Sequence, residues 1–434
     1  MKKAKSLPSG RGARLTQFGG LLTQVASNVA VDSVKSLSKG KIPNIKELLL
    51  TSKNIHHLAE RLAHLRGAAM KMGQLLSMDA GELLPPELNQ LLAVLRDNAC
   101  VLPEEQLVQT MSQLLGNNWQ MQFSQFDLNP FAAASIGQVH LAESLTGEKL
   151  AVKIQYPGVA KSIHSDVDNV GTLIRMSGLV PENIDLTRLL LEVKIQLIRE
   201  ADYEIEARFL NRYASLLKDE KGFVVPTLYS ELCNEAMLTM SYESGEDIEV
   251  LSELPQAQKN QLCAQLVKLL FRELFEFRLM QTDPNFANYR YQRDSQKIVL
   301  LDFGATREIS EALSHFYRDV ARAVLSGDVD TVYRLATELG FYQSDVPVEF
   351  TEEMQNTLTI AFEPMQYDGD YDFAASDVLP KLKDRAMKHA RLREYFGTPP
   401  ADAIFIHRKI AGIYLLLCRV KAQLNLNKIL AEFL

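Results

Sequence analysis

The chain has 434 residues, enough for two or three structural units, and its 47% hydrophobic and 23% charged content argues against a disordered, collagen-like or low-complexity protein. The formal charge of −7 hides an asymmetry: residues 1–41 carry eight basic side chains against one acid, Asp32, so this end holds +7 and the rest −14. An acidic body argues against a nucleic-acid-binding domain, and the basic end suits either an anionic surface such as a membrane or a solvated tail.

The apolar residues Leu15, Phe18, Leu22, Val25 and Val29 step by 3, 4, 3 and 4, which places them on one helix face. With basic residues around it, this helix either lies on anionic lipid or docks on the rest of the protein. Leu58, Leu62, Leu65, Met72 and Leu76 continue a helical stripe that stops near Pro85 and Pro86. Residues 87–97 and 104–115 are predicted as two further helices, the second opened by Pro103 and closed by Gly116.

The texture then changes. Runs around 123–126, 136–142 and 149–154, with Thr146 and Gly147 as a turn, predict an antiparallel meander. A long helix is expected over 186–217, then strands around 223–228 and 236–242 ending at a hinge, Glu243-Ser244-Gly245. Helices over 255–279, a hairpin over 289–301 turning at Asp294 and Ser295, and helices to the carboxyl end complete the layout. No stretch suits a membrane span: in residues 15–31 eight of seventeen are polar or glycine, and the apolar run between Lys409 and Arg419 has nine residues, the length of a core helix segment. Four cysteines (Cys100, Cys233, Cys263, Cys418) without paired spacing, and no secretory signal, suit a reducing compartment rather than a zinc site or a disulfide framework.

Four features carry chemistry. Lys153 sits in an apolar strand run, Ala151-Val152-Lys153-Ile154, where its ammonium needs an acidic or phosphate partner unless it points to solvent. Glu200, Asp202, Glu204 and Glu206 crowd one segment of the predicted long helix, where the pairs four apart repel one another until cations relieve them. Asp283 and Asn288, five apart on a loop, can set a carboxylate beside a reacting hydroxyl or water and an amide oxygen on a divalent ion, although Asp-Pro is also a turn signal. Asp302 ends the buried strand run Ile298-Val299-Leu300-Leu301 before Phe303-Gly304, where a lone Asp would ordinarily be a cap or turn residue. In this order the four match the protein-kinase signature set.

Two further segments identify the kind of kinase that the chain resembles. Phe131-Ala132-Ala133-Ala134-Ser135-Ile136-Gly137 and Lys71-Met72-Gly73-Gln74 are similar to the alanine-rich loop and the KxGQ motif of UbiB/AarF-type atypical kinases, which support ubiquinone biosynthesis. The resemblance runs from about residue 10 to the carboxyl end. It implies an α+β, protein-kinase-like bilobal fold with a helical extension over residues 1–121, an N-lobe over 122–245 and a helical C-lobe over 246–434.

It also implies site roles. Lys153 would hold the phosphates of ATP with Glu206 as partner, and Ala132, Ala133, Ala134 and Ser135 would form the phosphate loop. Asp283 would be the catalytic-loop acid, with Asn288 and Asp302 as Mg²⁺ ligands. Lys71 and Gln74 would pair with Glu200 and Asp202, the ExD motif, in a regulatory contact over the cleft. The expected cofactors are ATP and Mg²⁺, and the expected partners an anionic membrane surface and a quinone-like lipid or quinone-biosynthesis proteins. The expected location is the cytoplasm, peripheral to the inner membrane.

Departures from ordinary protein kinases narrow the activity. Alanines replace glycines in the phosphate loop and resist φ > 0 conformations, so nucleotide geometry should differ. Gly304 leads almost directly into a helix predicted over 309–324, with no activation loop as a protein-substrate platform. ATP hydrolysis or transfer to a small or lipid-like acceptor is therefore expected, with a nucleotide-gated, non-catalytic lipid-binding scaffold as the remaining alternative.

Overall fold

A computed structural model describes residues 100–177 and 186–434, Ser135 excepted, together with the pair Lys2–Lys3. The helices expected within 15–97, with Lys71 and Gln74, lie outside the described residues. The chain divides into two compact units, the first ending at Arg208 and adding Thr227–Tyr242, the second comprising Phe209–Pro226 and Glu243–Leu434.

Among the described residues the first helix of this unit is α1 (Glu104–Leu115), flanked by Pro103 and Gly116 as its sequence signals predict. Strands β1 (Gln125–Phe126), β2 (Ala132–Ala133), β3 (Gly137–Glu143) and β4 (Lys149–Gln155) follow, then α2 (Val159–Ser177), α3 (Leu186–Glu200) and α4 (Tyr203–Leu216), whose residues from Phe209 onward belong to the second unit. After β5 (Phe223–Val224), a strand of the second unit, the chain returns to the first as β6 (Met237–Ser241). The sheet order is β1-β3-β4-β6 with β2 also on β3, and every pairing is antiparallel.

Apolar Leu150, Val152 and Ile154 of β4 pack with Leu107 and Met111 of α1 and with Trp119 and Phe123 in one core. Trp119 also meets Phe126 edge-on at 5.1 Å between ring centroids. Gly137 is required by close approach: a Cβ there would lie 2.2 Å from the Ile154 carbonyl oxygen on β4.

Two helical features differ from expectation. The long helix over 186–217 is broken between Glu200 and Tyr203. Asp202 Oδ1 accepts from Glu204 N at 3.0 Å and Ile205 N at 3.3 Å, and this local capping competes with helix continuation. Glu204 and Glu206 therefore stand in the first turn of α4, where the helix dipole favours carboxylates, instead of repelling Glu200 and Asp202 along one face. Helix α2 went unassigned in the sequence, although its signal is present: Val159, Ile163, Val167, Val170 and Ile174 fall at helical spacing and are all buried.

The second unit contains β7 (Glu246–Asp247), α5 (Gln256–Phe275), β8 (Leu279–Gln281), β9 (Tyr289–Gln292), β10 (Lys297–Leu300) and β11 (Thr306–Glu308). Helices α6 (Glu311–Leu325), α7 (Val329–Glu338), α8 (Val348–Gln366), α9 (Val378–Lys388), α10 (Ala401–Val420) and α11 (Leu426–Ala431) follow. The sheet order β5-β10-β9-β7 contains the hairpin expected over 289–301, and β8 pairs antiparallel with β11. The helix expected to reach residue 279 stops at Phe275, because Arg278 takes φ 48° and Leu279 already belongs to β8.

Helix α5 buries Leu262, Leu266, Leu270 and Leu274, and α10 buries Phe405, Ile406, Ile413 and Leu417, so these two long helices form much of this unit's interior. No helix among the described residues is long and apolar enough to cross a membrane.

Candidate active site

In the first unit, Lys153 lies mid-strand in β4, opposite Val139 of β3 and Leu238 of β6. Its side chain is buried, so the ammonium needs compensation that a solvent-facing edge lysine would not. Glu206 supplies it with both oxygens, Lys153 Nζ donating to Oε1 at 2.9 Å and to Oε2 at 2.8 Å. The Tyr203 ring, one helical turn earlier on α4, lies 5.0 Å from the same nitrogen and adds a cation–π contact.

The alanine-rich segment is a tight hairpin. Ala132 and Ala133 pair with Val139 and Gln138, Phe131 N donates to the Val139 carbonyl at 3.0 Å, and Ala134 N donates to the Gly137 carbonyl at 2.9 Å. The N–H groups of Phe131 and Ala134 are thus committed to the ladder instead of being presented to an anion. Ser135 lies outside the described residues.

Glu200 and Asp202 flank the break between α3 and α4. Glu200 Oε1 accepts from Gln196 Nε2 at 3.4 Å, and Asp202 caps α4 as described. Lys71 and Gln74, expected beside them, are outside the described residues.

In the second unit, residues 282–288 link β8 to β9. Thr282 anchors the start of this loop, its Oγ1 donating to the Ala305 carbonyl at 2.7 Å. A single 3-10 turn, Phe286–Asn288, is capped by Asn285, whose Oδ1 accepts from Ala287 N at 3.1 Å. Asn288 Nδ2 donates to Asp283 Oδ2 at 3.2 Å, so the two loop residues are locked together, and the Asn288 carbonyl accepts from Leu301 N at 3.0 Å.

This last bond ties the loop to the segment carrying Asp302. Asp302 Oδ1 accepts from Gly304 N at 2.9 Å, which holds the Asp-Phe-Gly turn, and Phe303 is buried against the Tyr213 ring at 4.9 Å between centroids. Asp302 thus fills the ordinary turn role as well as lying close to Asn288, with which it lines one small cavity.

The donor chemistry fits a magnesium–nucleotide pair. Among the described residues no group of three or more His, Cys, Asp or Glu side chains is placed to hold a metal on its own. Mg²⁺ commonly takes only one or two carboxylates and completes its shell with phosphate oxygens and water. Asp302, with the Oδ1 of an Asn288 whose amide nitrogen is spent on Asp283, matches that partial donor set.

The sequence did not single out Tyr213, Glu273 or Lys409, which line the same cavity. Burial raises the Glu273 carboxyl above its ordinary range. Burial opposes the Lys409 charge, yet Glu273 and Tyr289 outweigh it and raise the Lys409 pKa. A charged residue entering an apolar helical run was the available signal.

Residues 94–336 match the ABC1 atypical kinase-like domain. The chain is 35% identical over 430 residues to the atypical kinase COQ8, mitochondrial, of Saccharomyces cerevisiae, covering 99% of this chain and 86% of that protein. It is 36% identical to the atypical kinase COQ8B, mitochondrial, of Rattus norvegicus, over 97% of this chain and 80% of that one. A solved structure of Rv3197 from Mycobacterium tuberculosis, in complex with erythromycin, superposes with a TM-score of 0.59 at 23% identity, covering 88% of this chain and 96% of that one, a likeness of fold. With a kinase-like α+β fold and near full-length identity to these relatives, the chain belongs to the ABC1 family of UbiB/COQ8-type atypical kinases.

Proposed function

We propose that the chain binds Mg·ATP and turns it over as an atypical kinase/ATPase that supports ubiquinone biosynthesis at a membrane. The observation that carries this reading is the pairing of Asp283 with Asn288, backbone-linked to the Asp302 segment, in a chain that also holds Lys153 in a bidentate bond with Glu206. In this reading Glu206 orients Lys153 toward the nucleotide phosphates, Asn288 and Asp302 hold the metal, and Asp283 accepts the proton of the attacking hydroxyl or water. Bound Mg²⁺ would neutralise charge on the phosphoryl oxygens.

Only β11 separates the Asp-Phe-Gly turn from α6, which supports water or a small or lipid-like acceptor over a protein bound in trans. The measurement that divides these is ADP release with and without a candidate acceptor: release alone supports hydrolysis, and release that requires an acceptor supports phosphotransfer.

Asp302→Asn should weaken Mg·ATP at least tenfold while leaving metal-free nucleotide binding little changed, because it removes a charged metal ligand and keeps the side-chain shape. Equal Mg²⁺-dependent thermal shifts in the variant and the parent would refute the metal assignment.

The basic amino end motivates the membrane part of the proposal. The full chain should co-sediment with vesicles containing anionic lipid, less so as salt rises through the screening range, and deletion of residues 1–41 removes the +7 responsible. Equal co-sedimentation of the truncated and full chains would exclude an interfacial role for this segment.

A further inference from the structure

The loop that carries Asp283 and Asn288 is held at both ends by one buried lysine from a helix more than a hundred residues away. Lys409 Nζ donates to the Tyr289 hydroxyl at 2.6 Å and to Gln281 Oε1 at 3.1 Å, and lies 3.6 Å from Glu273 Oε2. Gln281 immediately precedes residues 282–288 and Tyr289 immediately follows them, so the ammonium donates to both flanks of the loop, with the Glu273 carboxylate nearby as its counter-ion.

The middle of the loop is held by the same helix. Gly412, one turn along α10 from Lys409, packs so closely on Pro284 that a Cβ there would lie 2.2 Å from the Pro284 Cβ. Glu273 fixes the lysine in turn. Its Oε1 accepts from the Tyr213 hydroxyl at 2.7 Å, and that hydroxyl accepts from Gln281 N at 2.7 Å.

We propose that Lys409 and Gly412 on α10 are positioning residues that clamp the 282–288 loop, setting the Asp283–Asn288 geometry without touching the reacting groups themselves. An apolar pair would fill the same space, but no aliphatic side chain bonds two acceptors on opposite flanks of a loop. A fully buried ion pair contributes little net stability compared with a well-packed apolar replacement, so its use here is to specify one loop conformation. The polar contacts are charge-assisted and buried, which makes the clamp stiff.

The test uses the full chain and two readouts, of which only the kinetic one rests on the ATP proposal above. Three variants weaken the clamp separately: Tyr289→Phe removes one hydroxyl, Lys409→Met with Glu273→Gln removes both charges without orphaning either, and Gly412→Ala inserts one methyl against Pro284. In amide hydrogen exchange, peptides spanning 281–289 should exchange at least tenfold faster in each, while peptides of α6, α7 and α8 keep the parent rates. Unchanged loop exchange, or a rise spread across the whole unit as general destabilisation would give, overturns the clamp whether or not the protein turns over ATP.

In turnover, kcat should fall at least tenfold and by more than Mg·ATP affinity weakens, because Lys153 and Asp302 lie outside the loosened loop while Asp283 and Asn288 lie on it. Asp283→Asn serves as the inactive reference. A parent that releases no ADP counts against the ATPase proposal alone, with exchange still deciding the clamp. Parent-like kcat in all three variants beside an inactive Asp283→Asn overturns the positioning role.

Discussion

Lys153→Ala is expected to cost about 3–5 kcal/mol of folding stability and to abolish the Mg·ATP-induced thermal shift. The stability loss arises because Lys153 and Glu206 are only 11% and 4% exposed, so truncation leaves the Glu206 carboxylate buried opposite an apolar methyl. Lost cation–π contact with Tyr203 adds to it. A denaturant titration reads the loss as a lower midpoint.

Stability and binding are separated by Lys153→Met combined with Glu206→Gln, which removes both charges and keeps most of the volume. That double variant should regain most of the lost stability, since neither charge is orphaned, yet remain unresponsive to Mg·ATP if Lys153 is the phosphate-binding cation proposed above. A normal nucleotide response in either variant would mean that Lys153 serves the fold and not the ligand.

Asp283→Asn is expected to lower kcat by about 10²–10⁴ with little change in Mg·ATP affinity, the range for losing a positioned general base. An asparagine oxygen can still accept from Asn288 Nδ2, the contact seen at 3.2 Å, so the loop should keep its shape. The effect would then report proton acceptance alone. Single-turnover ADP formation is the measurement of choice, because product release does not limit it. A rate within threefold of the parent would assign Asp283 to loop structure, the role that an Asp-Pro pair plays in ordinary turns.

Much of this molecule was legible locally. Apolar runs with a Thr-Gly turn between them located β3 and β4, and the Asp294-Ser295 turn located the β9–β10 hairpin, because strand and turn chemistry is encoded in a few adjacent residues. The order Lys153, Glu206, Asp283, Asn288, Asp302 pointed to a kinase because such a set rarely arises by chance, even though each member alone also fits a cap, a turn or an edge strand.

The chain's own pattern established that Lys153 needed an acid, and its resemblance to a family named Glu206. Tertiary structure showed both Glu206 oxygens on the lysine, with Asp202 turned to a different task at the start of α4. The break at Ala201–Asp202 escaped the sequence because apolar periodicity continues through it, while the capping bonds that end one helix and begin the next depend on backbone positions. Lys409 is the clearest case of a feature that only the fold decided. In the sequence it only marks the border of a nine-residue apolar run; in the structure its partners Gln281 and Tyr289 stand 128 and 120 residues away. Periodicity tells which face of a helix is buried, and only the packed chain tells which polar groups wait there, because the cost of burying a charge is set by partners that sequence spacing does not reveal.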